Sequence, residues 1–439
     1  MKLIKALVVM LVAVGMILPA VAVAEDRLSL SGEMRVRGWH TDYDLGDYDR
    51  SDGTQTWADQ RLRIAGKIAV AEGVSITFRT DITESDWGSG NVNGAGRTTK
   101  CSTATKDVLD ENGDPTGGTY TEKTCSDFGS QHWDRAHIDL VMGDFQLRAG
   151  QQYNAFGKTY AVDNQSNGIT LFYNGLENTK ANIFFMLTDD NGGRNESDAF
   201  LTGATIRPKF GDLQTAFFVA NQNDGAEESV TLVGAYLTAM LGPVDFTAEV
   251  DFFTGDSDEK DVDAYGTNVW LDGSMALSDA FTIGAQGFFA PGDDEDKQYT
   301  YLGSGFGGWD PLLDVGTSLS NEQINYDRPF NVAQLSLGAE GGNAQFNSLG
   351  STGARLYTAF KVSEDLNLGA SVAYAMEEED KYGELDVVLL AAGLVYQILP
   401  NASFQLQLQY TDGNVTIDDE DIDNDFDAFE AGTGLFVKF

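Results

Sequence analysis

Polar and apolar residues alternate along most of the chain. Leu28, Leu30, Met34 and Val36 share one face of an extended segment, and Arg27, Ser29, Ser31, Glu33, Arg35 and Arg37 share the other. Leu62, Ile64, Ile68 and Val70 oppose Asp59, Arg61, Arg63 and Lys67 in the same way. Val74, Ile76, Phe78 and Ile82 oppose Ser75, Thr77, Arg79 and Asp81. Near the C-terminus Phe404, Leu406, Leu408 and Tyr410 oppose Gln405, Gln407 and Gln409, and the final segment sets Phe429, Ala431, Thr433, Leu435, Val437 and Phe439 on one face. A period of two is that of a strand lying between two unlike environments.

One face of such a segment is too polar for a dry core and the other too apolar for water. A transmembrane antiparallel β-barrel satisfies both, with lipid outside and a wet lumen inside. Closure also pairs every backbone group, as hydrocarbon requires. The pattern predicts an all-β fold of 18 strands, with 16 as the alternative count. The predicted segments are 27–39, 57–70, 74–83, 132–142, 144–152, 168–174, 180–188, 199–207, 213–220, 229–240, 244–254, 263–276, 280–290, 354–362, 366–376, 385–398, 402–410 and 427–439. An even number places both ends of the chain on the periplasmic side.

The connections alternate in length. Short ones fall at 71–73, 143–144, 208–212, 241–243, 277–279, 363–365 and 400–401. Long, polar, acidic ones fall at 40–56, 84–131, 153–167, 189–198, 221–228, 255–262, 291–353, 377–384 and 411–425. Short periplasmic turns and long external loops are the bacterial arrangement. Residues 331–337 alternate weakly and are assigned to the external insert 291–353, because a further strand there breaks the parity. Segments 180–188 and 385–398 are apolar on both faces. An inserted loop or a neighbouring subunit covering the barrel explains them, and a buried helix is the alternative for residues 387–398.

Residues 1–24 have the form of a cleaved secretory signal: Lys2 and Lys5, an apolar stretch over 6–18, and the small-residue site Ala22-Val23-Ala24. This leaves 25–439 as a single barrel domain. No later run is long enough for a transmembrane helix. In an exported chain Cys101 and Cys125, the only two cysteines, are expected to form a structural disulfide. Closing that loop contributes roughly 3 kcal/mol by chain entropy. The balance of 28 Lys+Arg against 68 Asp+Glu gives a formal net charge of -40, which excludes nucleic acid as a partner.

The chain ends Gly434-Leu435-Phe436-Val437-Lys438-Phe439. A terminal Phe on an alternating strand resembles the signature of outer-membrane barrels read by the barrel-assembly machinery. Residues Gly143-Asp144-Phe145-Gln146-Leu147-Arg148-Ala149-Gly150-Gln151-Gln152, followed by Ala155-Phe156-Gly157 and Asn167-Gly168-Ile169-Thr170-Leu171, resemble the strand entering the constriction loop of Gram-negative porins. Where that family often has Gly-Arg-Gln, this chain has Gly150-Gln151-Gln152. The Arg-x-Arg pairs Arg35/Arg37 and Arg61/Arg63 are loosely similar to 18-stranded porins of the alginate-export type. The resemblance, which covers mainly residues 27–175, implies an outer-membrane channel, lipid and lipopolysaccharide as surroundings, and a homotrimer.

Parity points Arg35, Arg37, Arg61, Arg63, Arg79, Arg135 and Arg148 into the lumen, a basic wall in an acidic protein. Asp163, in the segment resembling the constriction loop, is the candidate carboxylate facing it. Such a field orients dipolar solutes and favours anions. The competing reading pairs these arginines with Glu33, Asp59, Asp81 and Asp139 on adjacent strands. The acidic runs at 256–263 and 418–427 lack the Gly and terminal Glu of an EF-hand. They read as solvated external loops, with Ca²⁺ bridging to surface phosphates as the alternative. No other cofactor is implied.

An enzyme is disfavoured: the three histidines His40, His132 and His137 accompany no G-x-S-x-G turn. The expected function is passive diffusion of small hydrophilic solutes and ions. The alternatives are a selective channel for an anionic solute or oligosaccharide, a barrel acting as adhesin or sheath, and a secreted soluble β-protein.

Overall fold

The computed structural model describes residues 27–44, 53–86, 98–109, 115–128, 132–158, 162–189, 199–223, 229–257, 262–291, 351–376, 383–417 and 422–439. The strands are β1 (Leu28–Asp44), β2 (Gly53–Ala71), β3 (Val74–Asp86), β4 (Thr98–Leu109) and β5 (Pro115–Phe128). Then follow β6 (His132–Met142), β7 (Phe145–Phe156), β8 (Val162–Leu176), β9 (Thr179–Asp189) and β10 (Ala199–Phe210). Next are β11 (Leu213–Asn223), β12 (Ser229–Leu241), β13 (Val244–Ser257), β14 (Val262–Ser278) and β15 (Phe281–Ala290). Last come β16 (Ser351–Lys361), β17 (Leu366–Met376), β18 (Gly383–Leu399), β19 (Ala402–Ile417) and β20 (Ile422–Lys438).

All pairings are antiparallel, and 18 strands form one sheet that closes where β1 pairs with both β2 and β20. Leu28 lies opposite Ile68, and Arg35 lies opposite both Arg61 and Phe436. Phe439 completes the seam, exchanging two backbone hydrogen bonds with Gly32 at 2.8 and 2.9 Å. The strands run past the predicted ends, as in β1, which reaches Asp44 rather than residue 39. Residues 385–398 belong to strand β18, not a helix. The external insert ends by residue 350, since Ser351, Thr352 and Gly353 already pair in β16. The signal segment 1–24, residues 331–337, and residues 258–261 and 418–421 of the acidic runs lie outside the described residues.

Two strands escaped the sequence reading. Within the predicted loop 84–131, β4 and β5 pair only with each other, in a separate two-stranded sheet. Their register sets Cys101 directly opposite Cys125.

The outer surface carries the apolar side of each strand. Leu30, Ile183, Phe217, Phe252, Leu356 and Leu390 are all exposed there. At the end bearing the short turns sits a ring of exposed aromatics: Phe145, Phe210, Phe360, Tyr396, Phe404 and Phe439. An apolar band flanked by aromatics is what a bilayer selects, because amphipathic rings settle at the headgroup level. The inner surface carries the opposite side of each strand, including the buried Gln405, Gln407, Gln409 and Glu430.

Candidate functional site

The lumen is narrowed by a hairpin of its own wall. Strand β7 pairs with β6 only as far as Gln151, and β8 pairs with β9 only from Asn167 onward. Residues 152–156 and 162–166 pair with each other alone. Here the hairpin leaves the wall and enters the lumen. The departure point is Gly150, with φ +120°, whose missing Cβ would fall 2.4 Å from the Ala136 carbonyl oxygen. A side chain there meets both backbone strain and a clash. The predicted loop 153–167 is therefore mostly strand among the described residues.

Inside the barrel the hairpin makes an apolar contact. Phe156 and Val162 pack with Phe184, Met186, Leu201, Phe218 and Leu232 in one buried cluster. The Phe156 ring stacks on Phe218 at 5.3 Å and lies 5.5 Å from Phe184. This contact covers the inner apolar face of segment 180–188. Beyond it the tip reaches the opposite strands. The Lys158 backbone N–H donates to the Glu249 carboxylate on β13, and its ammonium lies 4.9 Å from the Trp270 ring centroid on β14. Gly157, φ +58°, leaves that carboxylate the room any side chain would occupy. Asp163 lies on this hairpin opposite Ala155. Its side chain is outside the described residues.

The seven predicted arginines all lie on the inner face of β1, β2, β3, β6 and β7, and carboxylates of neighbouring strands hold most of them. Arg37 Nε donates to Asp59 at 2.9 Å, and Trp39 Nε1 donates to the same carboxylate at 3.1 Å. Arg61 donates to Glu33 at 2.9 Å. Arg63 forms a fork on Asp81 at 2.6 and 2.9 Å, the bidentate geometry guanidinium favours. Arg79 reaches Asp134 at 2.6 Å, and Arg63 lies 3.3 Å from the same group. Arg148 and Gln146 both donate to Asp139 at 2.8 Å, with His137 Nδ1 at 3.3 Å. Arg35 is buried beside them.

Strict alternation hides Asp134, because its neighbour Arg135 already points inward. The structure puts both on the lumen side through a register shift in the β3–β6 pairing between Arg79 and Thr80. A bulge adds one residue and re-aims its side chain. The signal was present in the sequence: a carboxylate beside an inward arginine otherwise faces lipid, where charge is costly.

Arg135 differs from the rest. Among the described residues it forms no salt bridge, and its guanidinium lies 5.1 Å from the Tyr153 ring centroid. It lines a polar recess of ≈ 260 Å³ with Lys67, Ser75, Thr77, His137 and the Arg148–Asp139 pair. Lys67 likewise has no carboxylate partner among the described residues. The wall's charges are thus largely neutralised in place, and Arg135 and Lys67, neither in a salt bridge among the described residues, meet in this recess.

No protein-family model matches the chain. No curated protein matches it either. Solved structures do. The chain is similar to Pseudomonas aeruginosa OccK9 (OpdG) with a TM-score of 0.57 at 13% identity, covering 94% of this chain and 99% of that one. It is similar to P. aeruginosa OpdL with a TM-score of 0.55 at 11% identity, covering 94% and 98%. P. aeruginosa OpdK, solved with vanillate, gives 0.52 at 10% identity over 94% and 99%. The chain has the fold of the Gram-negative outer-membrane porins. That fold, with its apolar belt and aromatic ring, places it in the outer membrane.

Proposed function

We propose that the protein is a water-filled diffusion channel for small hydrophilic solutes, selective for small anions where its lumen is narrowest. The observation that carries this reading is the recess holding Arg135 and Lys67 without carboxylate partners among the described residues. A carboxylate entering it meets two cations that form no salt bridge among the described residues, the hydroxyls of Ser75 and Thr77, and Tyr153. OpdK was solved with vanillate, a compound with one carboxylate on an aromatic ring. A monoanion of that kind suits this recess. The paired arginines hold the wall rigid and set the recess in place, and Asp163 on the hairpin is the candidate carboxylate of the constriction.

The reading includes export by the signal segment 1–24, assembly read at Phe439, a trimer among lipopolysaccharide, and a Cys101–Cys125 disulfide. Directly opposed residues on antiparallel strands have Cα atoms about 4.5–5.5 Å apart. A disulfide spans about 4.4–6.8 Å, so the register supports the bond.

The test is reversal potential across a planar bilayer under a potassium chloride gradient. Lys67→Gln with Arg135→Gln should move it toward cation preference. The same potential in variant and parent rejects the anion reading, and the absence of any conductance rejects the channel.

A further inference from the structure

Away from the arginine wall, strand β13 carries two carboxylates on its inner face. Glu249 and Asp251 are two residues apart, so their side chains point the same way, and each is 1% exposed. Glu249 accepts the Lys158 N–H of the hairpin tip. Asp251 is different. Both of its carboxylate oxygens are buried without a hydrogen-bond partner. Its only charged neighbour among the described residues is Glu249, another carboxylate.

The flanking strands set no cation opposite Asp251. It lies opposite Gly234 on β12 and Asn268 on β14, while Glu249 lies opposite Tyr236 and Trp270. The Lys158 ammonium is over the Trp270 ring, on the Glu249 side of the pair. Both carboxylates occupy room that a neighbouring glycine leaves. A Cβ on Gly234 would collide with Asp251 Oδ1, and one on Gly157 with the Glu249 carboxylate. Asn268 is buried directly across from Asp251 and brings a neutral amide oxygen to the same place. Adjacent carboxylates taken out of water repel, and a buried charge without compensation is strongly unfavourable. Something positive must join them. A shared proton engages one oxygen of Asp251 and leaves the other buried and bare. A hard metal ion engages both, since a carboxylate can bind Ca²⁺ through two oxygens. The flexible oxygen shell of Ca²⁺ also suits such a site better than the strict octahedron of Mg²⁺.

We propose that Asp251 and Glu249 bind one Ca²⁺ ion on the inner wall beside the hairpin tip, with Asn268 supplying an amide oxygen and water the remaining ligands. The ion fixes the carboxylate that accepts the Lys158 N–H, and so pins the constriction from the wall side. Its binding is measured without conductance and stands apart from the channel reading above.

The test uses Tb³⁺, which takes the place of Ca²⁺ and luminesces when a nearby tryptophan is excited. Trp270, directly opposite Glu249, is placed to sensitise it. Detergent-purified protein stripped with a chelator should show tryptophan-sensitised emission on adding Tb³⁺, and Ca²⁺ should displace it. Asp251→Asn should weaken the binding that gives this emission at least tenfold. Trp270→Phe, which keeps both carboxylates, should lose the emission but retain the parent's calorimetric Ca²⁺ titration. Heat-dependent gel migration confirms that each variant is a folded barrel. Emission equal to the parent's in either variant overturns the proposal, because the ion is then held elsewhere, as by the external acidic runs. A parent that shows no sensitised emission overturns it too, and leaves a shared proton to join the two carboxylates. A chain that binds the ion at Asp251 but conducts nothing refutes the channel reading alone.

Discussion

Two regions of the same inner surface are built on opposite principles. The wall formed by β1, β2, β3, β6 and β7 is filled with guanidinium–carboxylate pairs such as Arg63–Asp81 and Arg79–Asp134. A few strands on, the inner face of β9 to β12 carries Phe184, Met186, Leu201, Phe218 and Leu232, as apolar as a protein core. The difference follows from what each face meets. The first is filled by its own guanidinium–carboxylate pairs, which leave Arg37, Asp81 and Asp134 buried. The second meets Phe156 and Val162 of the infolded hairpin, so its side chains are buried. Inward does not mean wet: where the wall folds back upon itself, the lumen acquires a core, and that core sets the bore.

The largest test of this contrast removes the core. Phe156→Ala deletes a ring stacked between Phe184 and Phe218, a change that costs about 3–5 kcal/mol in a packed interior. The hairpin should loosen, and single-channel conductance should rise. A conductance equal to the parent's would show that the hairpin does not limit the bore.

The paired wall should respond differently. Asp134→Asn deprives Arg63 and Arg79 of a shared partner, and breaking a buried pair costs about 3–5 kcal/mol. Thermal unfolding followed by gel migration should shift clearly downward. Arg135→Gln, which breaks no salt bridge among the described residues, should shift it less. Equal destabilisation by both would erase the distinction between paired and unpaired cations.

Much of this was legible in the alternation. Eighteen barrel strands, the turns and the inward arginines all follow from a period of two. What escaped did so for physical reasons. Strand β4, with Thr98, Thr99, Thr103 and Thr105, has β-branched residues but no apolar face to mark it. The stretch from Tyr153 to Asn167 is polar and reads as a loop, because a hairpin pairing only with itself inside a lumen needs few lipid-facing residues. Asp134 was missed because a bulge breaks the very periodicity used to read the strand.

Two smaller effects sharpen the comparison at the bend and the tip. Gly150→Ala places a side chain in a left-handed conformation against the Ala136 carbonyl, and strain of that kind costs about 1–3 kcal/mol. Its yield of heat-modifiable barrel should fall; an unchanged yield means the bend is tolerant. Glu249→Gln keeps an acceptor for the Lys158 N–H but removes the charge, worth about 1 kcal/mol. Mean conductance should stay near the parent value while open-channel current noise grows. Noise equal to the parent's would mean the tip is held without Glu249.

The seam between β1 and β20 joins the beginning of the chain to its end, with Gly32 and Phe439 exchanging its final hydrogen bonds. A cylinder sealed in this way admits no partial credit. A polypeptide that stops before β20 leaves β1 and β19 as bare edges, open to aggregation rather than to solute traffic. The final strand is therefore a condition of closure, and the sheet has no sealed form without it.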